Sequence, residues 1–147
     1  MRYASSPERV RSAMHRRAAA RLTILVLATF PAASRADGLY IICHPSVSLS
    51  ASDLRDVFLG EKLFAGSVRL APADNSAARE EFLQKVLKMD SAKYQTAWTK
   101  KSFRDGVNPP WLSGSDAEAI IYVRRAPGRC SYVTTAPGPD VQVVAIF

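Results

Sequence analysis

The chain has 147 residues, with 20 Lys and Arg against 13 Asp and Glu and a formal net charge of +7. Such a balance would ordinarily point to a nucleic-acid partner, but residues 1–36 hold seven arginines and one glutamate, and residues 37–147 are close to neutral. Nucleic acid therefore drops out as the leading partner class. Two cysteines and a single histidine after residue 36 give no metal-ligand spacing, so no metal or other cofactor is expected.

The first 36 residues have the three parts of a secretory signal: a basic region ending at Arg21, an apolar run over 22–33, and Ser34-Arg35-Ala36 as a small-x-small cleavage site before Asp37. The apolar run falls short of the roughly 20 residues that span a bilayer, and Pro31 interrupts it. Met14 is an alternative start, because His15-Arg16-Arg17 would then open a signal of ordinary length. The expected location is periplasmic or secreted, with residues 37–147 forming one domain and no membrane span left after cleavage.

Residues 39–43, Leu-Tyr-Ile-Ile-Cys, are a continuous apolar run ended by His44-Pro45 and suit a strand buried on both faces. Leu54, Val57 and Phe58 fall at helical spacing, with Ser50 or Ser52 as cap and Gly60 as stop. A second strand is expected over 67–73. Asp74-Asn75-Ser76 then supply turn and N-cap chemistry before a helix carrying Phe82, Leu83, Val86 and Leu87. Asp90-Ser91 restart the pattern, and Tyr94, Ala97 and Trp98 place an apolar stripe on a third helix, with Lys93, Lys100 and Lys101 towards solvent. The Pro-rich stretch 103–111 reads as a loop. Ser115-Asp116-Ala117-Glu118 matches a capping box opening a fourth helix that closes at Arg124-Arg125. Residues 130–135 and 141–146 read as closing strands around the turn 136–139. This order defines an α/β domain, a mixed sheet covered by helices.

No nucleophile–base pair is visible, and the lone His44 beside Pro45 reads as structural, so an enzyme is not expected. The turn at 74–79 is the candidate ligand site. Free backbone amides at a helix start, the hydroxyl of Ser76 and the guanidinium of Arg79 suit an anion, although a Ser or Asn at a helix start also serves simply as a cap.

The segments Leu39–Pro45, Leu54–Lys62 with its Phe-Leu-Gly-x-Lys core, Ala73-Asp74-Asn75-Ser76 with Arg79 and Phe82, Trp98, Phe103, Pro109-Pro110, and Ala126-Pro127-Gly128 before Ser131-Tyr132-Val133 resemble the phosphate-binding, substrate-binding-protein family of ABC importers. More closely, they resemble its short, secreted, single-lobe relatives. The resemblance implies one lobe of a type 2 periplasmic binding protein and a ligand site at Asp74, Asn75, Ser76 and Arg79. Ala77 and Ala78 stand where that family has Gly and Thr, and Ser131 stands where it has Gly.

The function expected from this resemblance is a non-enzymatic, phosphate-binding-protein-like domain that binds a small anion such as phosphate weakly, or has an accessory role in transport. The alternative is an envelope protein-interaction module that reuses the lobe without ligand, pairing with another protein or with itself. The resemblance also makes neighbours of the strands carrying Cys43 and Cys130. They are expected either as a disulfide or as two small buried hydrophobes. If the export reading holds, N-terminal sequencing of the secreted protein begins at Asp37; retention of residues 22–33 would refute it.

Overall fold

In the computed structural model the described residues are 38–147, so the signal segment and its cleavage site lie outside them. The elements, in chain order, are β1 (Tyr40–Cys43), α1 (Leu54–Phe58) entered through a single 3₁₀ turn (Ala51–Asp53), β2 (Phe64–Ala65), β3 (Val68–Arg69), β4 (Ala71–Asn75), α2 (Arg79–Phe82) continued by a π turn (Leu83–Leu87), α3 (Ser91–Asp105), β5 (Trp111–Ser113), α4 (Asp116–Arg124), β6 (Arg129–Val133) and β7 (Gln142–Ile146).

Five strands form one mixed sheet in the order β5-β4-β6-β1-β7, and β2 and β3 form a separate hairpin. β4 runs parallel to β5 and β6, whereas β1 runs antiparallel to β6 and β7. The unbroken apolar run of β1 has its physical reason in this placement. Leu39, Ile41 and Cys43 pack into the core with residues of α1, α2 and α3, while Tyr40 and Ile42 pack with Ala119 and Val123 of α4. All four β1 residues are buried. The sequence-derived fold class, a mixed sheet covered by helices, is the one observed.

Local chemistry sets several boundaries as expected. Ser50 and Asp53 form a capping box ahead of α1, and Gly60 stops the segment with φ of +69°. Asp90 accepts from the Lys93 amide to open α3, and Ser115 accepts from the Glu118 amide to open α4.

Other boundaries differ. The single strand expected over 67–73 is broken at Leu70, whose amide donates to the Leu63 carbonyl, so that β3 closes a hairpin with β2 around Gly66, at φ +60°, and β4 begins at Ala71. Gly128 fixes the next junction. Its carbonyl accepts from the Ala71 amide at 2.8 Å, and a Cβ there would stand 1.9 Å from the Arg69 carbonyl oxygen, so no other residue fits. α3 continues through Phe103 to Asp105 before Gly106 ends it, and Trp111, expected at the end of the loop, opens edge strand β5. On α3 the buried stripe is Tyr94, Trp98 and Lys101; Ala97 is exposed, and Lys101, expected in solvent, is 8% exposed. Its ammonium group bonds Glu61 at 3.1 Å and lies 3.6 Å from Asp105, so the long apolar stem is covered while the charge is paired.

Cys43 and Cys130 face each other across β1 and β6, and their sulfurs are bonded. The adjacent pair carries the ladder bond, from the His44 amide to the Arg129 carbonyl at 2.8 Å. The cysteines therefore occupy a non-hydrogen-bonded position, where opposed backbones approach most closely; their Cα atoms are 4.0 Å apart. The crosslink joins residues 87 apart in sequence, and chain-entropy reasoning assigns such a loop about 4.6 kcal/mol. Replacing both cysteines with serine is expected to lower unfolding free energy by about 2–5 kcal/mol in denaturant titration. Mass spectrometry after alkylation of the unfolded, unreduced protein is expected to find no free thiol.

Candidate functional site

The polar groups of the domain concentrate where the three parallel strands end. β4 finishes in Asp74 and Asn75, β5 in Ser113 and β6 near Thr134. Ser113 Oγ donates to the Asp74 carbonyl at 3.0 Å, and Ser131 Oγ donates to the Ala73 carbonyl at 2.9 Å. Ser131, where the resembled family has Gly, thus ties β6 to β4 just beyond Pro72, which has no amide to offer.

Asn75 is fully buried and committed to structure. Its Nδ2 donates to Asp116 Oδ1 at 2.6 Å and to the Tyr132 carbonyl at 3.0 Å, and its Oδ1 accepts from the Ala77 amide at 3.1 Å. This last bond is an Asx turn, and it displaces the expected helix start. Ser76 caps nothing: its amide donates to the Ser113 carbonyl, it is exposed, and α2 begins only at Arg79, with Ala78 in the cap position. The helical run over 79–87 therefore opens without a capping side chain, and Ser76 lies outside it.

The side chain of Asp116 fills the space beyond the strand ends. Its Oδ2 accepts from the Thr134 amide, the Thr134 hydroxyl and the Thr135 amide at 3.0, 3.0 and 2.8 Å. Desolvation pushes this carboxyl up, but the hydrogen bonds from Thr135, Asn75 and Thr134 outweigh it and hold the group below its usual range. Donors that converge at the end of a parallel sheet are thus satisfied from within the chain. The capping-box spacing at Ser115 gave no sign of this role, because the partners lie 18 to 41 residues away.

Asp74 and Arg79 meet on the other side of β4. Asp74 is 4% exposed, and one of its oxygens accepts from the hydroxyls of Tyr94 at 3.0 Å and Tyr132 at 3.1 Å. Burial pushes its pKa up, against the opposing pull of the Tyr94 hydrogen bond and the Arg79 charge. Both tyrosines are pushed far up by burial and by this carboxyl, so they act as donors. Arg79 lies over the Tyr94 ring, 5.4 Å from its centre, and its Nε is buried without a hydrogen-bond partner among the described residues. Asp74, Arg79 and Tyr94 line a cleft of about 340 Å³ with Gln95, Trp98, Thr99, Pro109, Pro110 and Leu112. Of the four site residues expected from the sequence, the structure brings Asp74 and Arg79 into one cleft, whereas Asn75 shapes the turn behind it and Ser76 does not line it. The walls from α3 and the diproline loop were not foreseen as site residues, since Tyr94 and Trp98 read as core and the loop as a connector.

Among the described residues, no group of three or more His, Cys, Asp or Glu is placed to hold a metal ion, and no helix is long and apolar enough to cross a membrane. His44 is used locally, its Nδ1 lying 2.9 Å from Ser46 Oγ and accepting from the Ser46 amide.

Fold and site together define a mixed α/β domain with a cation-walled cleft beside a buried carboxyl. No family model and no curated protein matches the chain. Among solved structures it is similar in part to PstS from Borrelia burgdorferi, with 13% identity, a TM-score of 0.49, and 66% of this chain aligned to 40% of that one. It is also similar in part to an ABC-type phosphate transport receptor from Vibrio cholerae, with 13% identity, a TM-score of 0.47, and 74% of this chain aligned to 45% of that one. The chain therefore spans less than half the length of either.

The raised pKa of Asp74 has a definite sign in stability. A carboxyl that holds its proton more tightly when folded favours folding below its ordinary value of 3.8, and that contribution is lost as pH rises through the higher folded value. Asp74→Asn is expected to remove this component. The difference in unfolding free energy between wild type and variant, measured by denaturant titration across the acid range, should shift in favour of the variant as pH rises; a difference independent of pH would contradict it.

Proposed function

We propose that residues 37–147 form an exported, non-enzymatic binding lobe that holds a small oxyanion of the phosphate type in the Arg79 cleft. The observation that carries this reading is Arg79, which lines a cleft large enough for a small ligand and whose buried Nε has no hydrogen-bond partner among the described residues. Gln95 and Thr99 add neutral donors on the same wall. Asp74 would repel an anion if fully ionised, and the upward push on its pKa weakens that repulsion. In this reading Arg79 contacts the anion, Asp74 closes the floor, Asn75 sets the turn, and Ser76 stands at the exposed end of that turn. One lobe offers one wall, so the affinity is weak, in keeping with an accessory role in transport. The absence of a nucleophile–base pair supports binding over catalysis.

Thermal-shift titration with phosphate, sulfate and small carboxylates tests the reading, because a ligand that binds only the folded state raises apparent stability. Phosphate is expected to raise the melting temperature, and Arg79→Ala to weaken apparent affinity about tenfold or more through loss of a charge-assisted bond. An unchanged melting temperature with every anion, or an undiminished response in the variant, would overturn the proposal.

A further inference from the structure

A second surface lies at the free edge of the sheet, on the side of β5 that faces α4. Trp111 is 50% exposed, yet it is held in place: its ring stacks on Tyr122 with centroids 5.1 Å apart and planes 18° from parallel. Arg129 also packs on the Tyr122 ring, its guanidinium 4.3 Å from the ring centre and its Nη1 donating to the Tyr122 carbonyl at 3.2 Å. The Tyr122 hydroxyl in turn donates to the Ala71 carbonyl at 3.1 Å, anchoring the stack to β4. A half-exposed indole that packing and hydrogen bonds have already fixed loses little conformational freedom on contact with a partner.

Trp111 and Tyr122 divide two clefts. One, of about 390 Å³, is walled by Lys62, Arg69 and Lys101 among apolar and proline residues, with no carboxylate in its lining. The other, of about 540 Å³, has Arg125, Arg129 and Ile121, together with Glu118. That one carboxylate is already engaged, accepting from the Gly114 amide at 2.7 Å. Lys62 and Lys101 are matched by Asp53 and Glu61, respectively, which do not line the clefts. Arg69, Arg125 and Arg129 have no carboxylate partner among the described residues, although residues 38–147 as a whole are close to neutral. Cations are therefore gathered around one fixed aromatic anchor.

We propose that this Trp111 face is a docking surface for an acidic polypeptide segment carrying apolar side chains. The composition of the face argues for a protein partner: Trp, Tyr and Arg are the residues that dominate binding energy at protein interfaces, and Ile121, nearly half exposed in the lining of the larger cleft, extends the apolar centre. The charge argues for its sign. Three unmatched arginines on two sides of the indole steer an acidic chain and oppose a basic one. The smaller of these two clefts shares Trp98, Pro109 and Pro110 with the Arg79 cleft but neither Arg79 nor Asp74, and neither proposal depends on the other.

The test is isothermal titration calorimetry of the protein with a short synthetic peptide alternating glutamate with leucine and phenylalanine, alongside the same peptide with lysine for glutamate and with inorganic polyphosphate. The glutamate peptide is expected to bind, with an affinity that falls as salt rises. Trp111→Ala and Arg125→Glu are each expected to weaken it about tenfold. Arg125 is exposed and has no side-chain partner among the described residues, so Arg125→Glu keeps the test valid should Trp111→Ala fold poorly, as circular dichroism would report. Absence of heat with the glutamate peptide overturns the proposal, as does equal binding of the lysine peptide. Polyphosphate binding as tight as the peptide and indifferent to Trp111→Ala would overturn it in favour of a plain polyanion surface. Arg79→Ala is expected to leave peptide binding unchanged.

Discussion

The buried carboxyl of Asp74 is the constraint on which the surrounding architecture depends. A group of this kind placed out of water costs several kcal/mol unless its acceptors are used, and the chain uses them by bringing tyrosines from α3 and β6 to one oxygen. Those two tyrosines then organise the core. The Tyr132 ring stacks on Phe82 at 3.9 Å and lies 5.7 Å from Phe58, while Tyr94 sits one turn before Trp98, whose indole donates to the Phe58 carbonyl at 3.2 Å. Helices α1, α2 and α3 are thus registered against the sheet through rings whose polar ends converge on β4. The same convergence leaves Arg79 beside a carboxyl whose pKa burial pushes up.

The parts of this arrangement that were legible in the sequence are those whose causes are local. The apolar run at 40–43 needs burial on both faces, and capping residues stand within three positions of the amides they serve, as at Ser50, Asp90 and Ser115. What escaped were features set by distant partners. Lys101 lies at a solvent position by charge and at a core position by spacing; the carboxylates of Glu61 and Asp105 let spacing win. Asn75 looked like part of a helix cap, but its neighbours Asp116 and Tyr132 take its side chain and move the helix start to Arg79. Asp74 and Arg79 were singled out in the sequence by turn and anion-donor chemistry and by the resemblance, and they share a cleft; its walls from α3 and the Pro109-Pro110 loop depend on tertiary packing that no short motif carries.

The two ends of β4 differ in character. At its C-terminal end the chain's own carboxylate, Asp116, occupies the donors of Asn75 and of Thr134 and Thr135 just beyond β6, so hydrogen bonds from within the chain close the strand-end space. The cleft that stays open lies to one side, between α3 and β5, and the Trp111 face lies on the other side of that strand. A three-residue edge strand preceded by two prolines offers little backbone for unwanted pairing, which leaves recognition there to side chains.

Leu39 and Phe147 exchange both backbone hydrogen bonds at 3.0 Å, so the first and last segments of the described domain lie side by side against β1. Topologically the domain is close to a ring with one seam. A short linker across that seam, with the chain reopened in the exposed turn at 136–139, would convert the present linear order into a circular permutant without parting any strand from its neighbour. For a protein engineer, the domain is an insertable cassette: it can be spliced into a surface loop of another protein through two closely spaced attachment points. The β5 edge, at the opposite border of the sheet, would stay facing outward.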